Sequence, residues 1–181
     1  MRTLSATAAT MLTLLMVHAD LAAQMGGDPE VHRAAMERLD FLVGGWEGDG
    51  WLLQRDGRHG IRQSEVVRYE LGGTILVIEG TARQRAGDRV GDVIFNAFAV
   101  VSWNPDSGFQ MRSYLWNGLE DTRPLEVGQG SFSWGQGSPG GPVEYHMELT
   151  AEGAWHEVGT MTRPDGASMD IVDFRLARTG R

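Results

Sequence analysis

The sequence contains no cysteine and no lysine. Without cysteine there is no disulfide, no thiolate metal site and no thiol nucleophile. Without lysine, all 16 basic residues are arginine, set against 24 acidic residues, and the formal net charge is −8. An acidic chain with no basic run does not suit nucleic acid, whose phosphates demand clustered positive charge. No G-x-S-x-G occurs, which removes the nucleophile elbow of α/β-hydrolases. A long apolar run is missing too. The N-terminal run, Ala8 to Val17, falls well short of the roughly 18 residues a membrane-spanning helix needs.

That short run has flanks of its own. Arg2 precedes it, and small residues follow at Ala19, Ala22 and Ala23. The pattern reads as a secretory signal peptide over 1–23, cleaved after Ala23 or after Ala19. No cysteine follows it, so lipid attachment of the bacterial lipoprotein type is excluded. The mature chain is then 24–181, exported to a periplasm or secreted. It is long enough for one domain with a sizeable core.

Asp28-Pro29 opens a helix expected over about 29–43. Asp28 accepts from the free amides, and Pro29 fits the first helical position, where an N–H would go unpaired anyway. Val31, Ala34, Ala35, Leu39, Leu42 and Val43 recur at helical spacing as one apolar face. Gly44-Gly45 ends the helix.

From Trp46 onward the chain reads as short strands and turns, a barrel over about 45–178. Turn signals recur at Asp56-Gly57, Gly72-Gly73, Gly87-Asp88, Asp106-Ser107-Gly108, Asn117-Gly118, Glu152-Gly153 and Asp165-Gly166. The runs between them are rich in Val, Ile, Tyr, Phe, Trp and Thr. The pattern predicts about ten antiparallel strands in sequence, closed into an up-and-down barrel that removes exposed edges. A barrel of that size holds one small ligand. The run Val93 to Val101 is apolar on both faces, so one face is expected to line the barrel and the other to meet the helix. In Gln63 to Leu71, alternation puts Gln63, Glu65, Val67, Tyr69 and Leu71 on one face, read as inward. Glu65 is costly to bury there without a partner.

A helix followed by Gly44-x-Trp46 at the first strand, then a barrel, resembles the calycin superfamily, including lipocalins. The resemblance implies that Trp46 is structural, plugging one end, with an Arg of the last strand lying across it. Arg175 or Arg178 is placed for this, and Arg175 is taken first. Leu39 to Gly50 and Trp155-His156-Glu157-Val158-Gly159 also resemble a family of bacterial lipocalin-like barrels that open with L-D-F-L-V-G-x-W-x-G-x-G. This likeness implies a fold and no particular activity. Nitrobindin-like haem proteins begin similarly and take haem on a His of the last strand. Here no His follows His156, and the last strand offers Met169, Asp170, Asp173 and Arg175 instead.

Other motifs dissolve on inspection. Gly135-Gln136-Gly137-Ser138-Pro139-Gly140 matches G-x-G-x-x-G but leads through Pro142 into a strand, not a helix, so it reads as a hairpin loop. His156-Glu157 begins H-E-x-x-H, but position 160 is Thr. His146 and His156, on adjacent strands, make at most half a metal site.

The expected function is binding of a small, mostly apolar or amphipathic molecule inside the barrel. The residues expected at that site are Trp51, Glu65, Tyr69, Glu79, Arg112, Trp116, His146 and Glu157. Trp134, Trp155, Tyr114 and Tyr145 complete the stock of large flat side chains. No catalytic residue, metal ligand or cofactor is assigned. Three alternatives stay open: acid–base catalysis by inward carboxylates and a His, a haem barrel, and a partner-binding module with an exposed apolar patch.

Overall fold

The N-terminal helix, anchored by buried Met36, sets one end of the molecule. A computed structural model describes residues 27–180. The expected signal peptide, 1–23, lies outside the described residues. Helix α1 (Pro29–Met36) starts as its sequence dictates, with the Asp28 carboxylate accepting from Glu30 N at 2.9 Å and Pro29 in the first turn. It does not run to residue 43. At Glu37 it tightens into a 3-10 helix, Glu37–Leu42. The reason lies in which residues are buried. Met36, Leu39 and Leu42 are fully buried, and a three-residue spacing aligns on one face only when the turn contains three residues. Val31, expected on the apolar face, is half exposed.

Eleven strands follow, not ten: β1 (Gly44–Gln54), β2 (Gly57–Glu70), β3 (Ile75–Ala86), β4 (Arg89–Asn104), β5 (Gly108–Leu115), β6 (Glu120–Pro124), β7 (Glu126–Val127), β8 (Ser131–Ser138), β9 (Gly141–Leu149), β10 (Trp155–Thr162) and β11 (Ser168–Thr179). All neighbours pair antiparallel in one sheet of order β6-β5-β4-β3-β2-β1-β11-β10-β9-β8-β7. The barrel is nearly closed, and the seam between β6 and β7 is unsealed. The chain crosses that seam at its lower end through buried Leu125, whose N–H donates to Phe109 O at 3.0 Å.

The helix plugs the end where β2 finishes and β5 begins. Tyr69 Oη lies 2.8 Å from Met36 O and donates to Asp40 Oδ1 at 2.6 Å. Arg38 lies over the Phe109 ring and donates to Val127 O at 2.6 Å. His32 meets Trp103 edge to face at 5.6 Å. The helix therefore covers the end of β4 rather than its outer face, and Phe98 on that face stays 38 % exposed. Leu71, read as the last inward residue of β2, lies beyond the strand and is exposed.

Trp46 is buried in this plug. Its Nε1 donates to Leu42 O at 2.7 Å. The Arg178 guanidinium lies 4.1 Å from the indole centroid and donates to Phe41 O and Val43 O, each at 2.6 Å. The expectation for Arg175 is thereby corrected. Trp46 pairs with Arg178 across β1 and β11, and Phe174 and Leu176 are buried on the same face. Strand alternation then turns Arg175 outward.

Candidate functional site

A cavity of about 380 Å3 fills the barrel beyond the plug. Its existence follows from an imbalance of side-chain size. On β3, β4 and β5 the small residues Gly80, Ala82, Ala97, Ala99 and Ser113 lie between the larger Ile78, Phe95, Met111 and Leu115. Across the barrel, β8, β9 and β10 carry Phe132, Trp134, Tyr145 and Trp155. Small side chains on one wall leave room that the large ones opposite do not fill. The lining continues to Leu53, Leu115 and Gln136, next to the hairpins at the end away from the helix.

The large residues form a continuous aromatic ladder. Tyr145 and Trp134 stack at 4.9 Å and 9°, and Trp134 and Phe132 at 5.2 Å and 19°. Phe132 meets Trp155 edge to face at 5.9 Å, and Trp155 meets Trp46 at 5.7 Å. Such pairs add about 0.5–1.5 kcal/mol each beyond area burial. The ladder ties the cavity wall to the structural plug.

Two carboxyls enter this apolar space. Glu65 of β2 is 7 % exposed and Glu157 of β10 is 8 % exposed. Each has a neutral donor two residues away on the same strand face. Gln63 Nε2 donates to Glu65 Oε1 at 2.6 Å, and Trp155 Nε1 donates to Glu157 Oε2 at 3.1 Å. On β1, between these two strands, Trp46 pairs with Glu65, and Gly48 and Gly50 follow on the same face because the β11 backbone runs too close there for a side chain. A Cβ on Gly48 would lie 1.9 Å from Arg175 O. Gly80 faces Glu65 across β2 and β3, and a Cβ there would lie 2.8 Å from Glu65 Oε1. The carboxyl thus rests over a position that has no side chain.

Burial disfavours the ionised forms. Desolvation raises the pKa of Glu65 to about 7, and the bond from Gln63 offsets this only in part. Glu157 is raised to about 8 by desolvation and by repulsion from Glu65. The Tyr145 phenol is raised as well, by burial and by Glu157. At neutral pH the pair therefore holds protons that exposed carboxylates would have released.

Of the other residues expected at the site, Glu79, Arg112, Trp51, Trp116, His146 and Tyr69 lie elsewhere. Glu79 is exposed on the outer wall and accepts from Arg68 Nη1 at 2.5 Å. Arg112 is exposed on the outer face of β5, where it donates to Glu120 at 3.2 Å. Trp51 has the parity opposite to Trp46 on β1, and its ring lies 3.7 Å from the Arg58 guanidinium. Trp116 is 64 % exposed beside the β5–β6 turn. His146 is exposed, 4.0 Å from Glu148. His156 also points to the outer wall, 3.0 Å from Asp173 Oδ1. Tyr69 holds the helix, as described above. Among the described residues, no group of three or more His, Cys, Asp or Glu gathers for a metal. No histidine lines the cavity, so the donor set does not fit a haem held by a barrel His.

Phe132 was not singled out by sequence reasoning, Gln63 was read only as inward, and Trp134, Tyr145 and Trp155 were counted among the aromatics but not assigned to the site. The signal for Trp155 was present, since it precedes Glu157 by two residues on a strand. For Trp134 and Tyr145 there was no sequence sign of which face turned in.

No protein-family model matches the sequence, and no curated protein matches it. A solved structure described as the crystal structure of Rv2717c from M. tuberculosis is similar in fold. The TM-score is 0.61 at 12 % identity, with 81 % of this chain and 98 % of that chain covered. This likeness concerns the barrel architecture alone. Among the described residues, no helix is long and apolar enough to cross a membrane.

Proposed function

We propose that the protein is an exported, lipocalin-like barrel that binds one small, mostly apolar molecule in its interior. The observation that carries this reading is the cavity itself, about 380 Å3 with aromatic rings on one wall and two carboxyls at its inner side. Ligand sites combine apolar walls with a few placed polar groups, and they fall in this size range of roughly 300–1,000 Å3. Glu65 and Glu157 meet the polar group of the molecule. The lipocalin-like assignment draws support from Gly44-x-Trp46 with Arg178 across the indole.

Native mass spectrometry of the protein isolated from its own host tests the reading. The expected result is an adduct of small-molecule mass that is lost on denaturation. A protein that stays free of adducts, and that takes up no apolar fluorophore, would overturn it.

A second reading is acid–base catalysis in the same cavity. It is favoured by two neighbouring carboxyls at about 7 and about 8, in the range where a group both gives and takes a proton at neutral pH. In that case the adduct would be found chemically changed after incubation.

A further inference from the structure

The cavity contains two acids and no base. Among its lining residues, the titratable side chains are Glu65 from β2, Glu157 from β10 and Tyr145 from β9. The faces contributed by β1, β3, β4, β5, β8 and β11 are apolar or neutral. Arg178, on the inward side of β11, is committed to Trp46 and to the carbonyls of Phe41 and Val43. Among the described residues, no cation lines the cavity to balance the pair. Buried charges in proteins are ordinarily paired.

The hydrogen bonding is incomplete in the same direction. Each carboxyl accepts one bond, through Glu65 Oε1 and Glu157 Oε2. Among the described residues, the second oxygen of each has no donor. Neither of these oxygens is sealed inside protein, because no fully enclosed side-chain polar atom lacks a partner. Two acceptor oxygens thus face the cavity from two strands, and the stacked Trp134 and Tyr145 line the same cavity.

We propose that the molecule bound in this cavity is an organic cation, a protonated amine on a flat apolar body, held by charge between Glu65 and Glu157 and by the Trp134–Tyr145 wall. The proposal rests on the small-molecule reading above and names the chemical class of that ligand. An ammonium group supplies the missing positive charge and N–H donors for the two free oxygens. Trp134 is stacked between Tyr145 and Phe132, so this wall holds the flat apolar body while the carboxyls hold the charge. The net charge of −8 draws cations toward the protein as a whole.

Without a ligand, protons fill the role of the cation. Burial holds Glu65 at about 7, and burial with repulsion from Glu65 holds Glu157 at about 8, so an entering amine displaces a proton. The amine keeps its charge up to about pH 10. Affinity for it therefore rises with pH until the pair is ionised, then levels off.

The test is calorimetric titration of the purified protein with phenylbutylamine and with phenylbutanol, which share size and shape and differ in charge. At about pH 8.5 the amine should bind at least about tenfold tighter than the alcohol. Below about pH 7 its affinity should fall by close to tenfold per pH unit, with about one proton released per amine bound, while the alcohol changes little. The double variant Glu65→Gln, Glu157→Gln should bind the alcohol as before and lose the preference for the amine.

Equal affinity for the two compounds, or an amine preference that survives in the double variant, would overturn the cation proposal and leave the cavity reading standing. So would a neutral phenylbutyl ketone that binds tighter as pH falls, since it would show the carboxyls acting as protonated donors. If none of the three compounds binds, the cavity reading fails and the proposal fails with it. The pH response of the unmodified protein tests the idea even if the double variant does not fold.

Discussion

The plugged end of the barrel and its middle both place polar groups inside, and they treat them differently. At the plug, the groups match. The Trp46 N–H meets the Leu42 carbonyl, the Arg178 guanidinium meets two carbonyls and an indole face, and the Tyr69 hydroxyl meets Asp40. In the middle, Glu65 and Glu157 repel each other, have only neutral donors, and face open space. An arrangement that costs stability and orders nothing visible is the one the proposed binding function calls for. The plug is fully paired, and the middle is left open for the ligand proposed above.

The sharpest way to break this contrast is to remove Trp46. Trp46→Ala should cost about 3–5 kcal/mol, as large aromatic truncations in cores do. Equilibrium denaturation reads this directly, and a loss below about 1 kcal/mol would mean that the plug is not structural.

The second effect should have the opposite sign. Both buried carboxyls are raised above their ordinary value of 4.5, to about 7 and about 8. The folded state then holds protons that the unfolded chain has released. The stabilising contribution is complete below about pH 4.5 and is lost as pH rises through about 7 to 8. The double variant Glu65→Gln, Glu157→Gln lacks that loss, so its stability relative to the unmodified protein should climb across this window. Parallel curves for the two proteins, measured by denaturation at successive pH values, would show that the carboxyls are not held protonated.

The smallest effect separates two arginines on one strand. Arg178→Ala removes two bonds to carbonyls and the contact with Trp46, and should cost about 1–2 kcal/mol. Arg175→Ala, on the outer wall, should stay within about 0.5 kcal/mol. Equal losses in thermal or chemical denaturation would reverse the assignment made from the register.

Much of the architecture was legible in the chain. The Asp28-Pro29 start and the regular turns are local signals, carried by capping chemistry and turn preference, while Gly44-x-Trp46 was legible through its resemblance to calycin barrels. The glycines of Trp46-Glu47-Gly48-Asp49-Gly50 were visible, but their reason was not. That reason is the approach of the β11 backbone, which comes from more than a hundred residues away. The 3-10 segment escaped because Met36, Leu39 and Leu42 select it only once they have a core to enter.

The site divides in the same way. Alternation around Glu65 and Glu157 put two carboxyls on candidate inward faces, and there they lie. The same reasoning failed for Glu79, Arg112, Trp51 and His146, because a strand has two faces and a register slip of one residue exchanges them. Amino-acid order determines that a face exists, since side chains alternate along any strand. Which face meets the interior depends on how eleven strands close around one another. The sequence by itself determined an acidic, cysteine-free barrel with a helical plug and a stock of buried-capable aromatics. Only the tertiary structure set small side chains against large ones to open a cavity, and brought Glu65 and Glu157 together in it without a counter-charge.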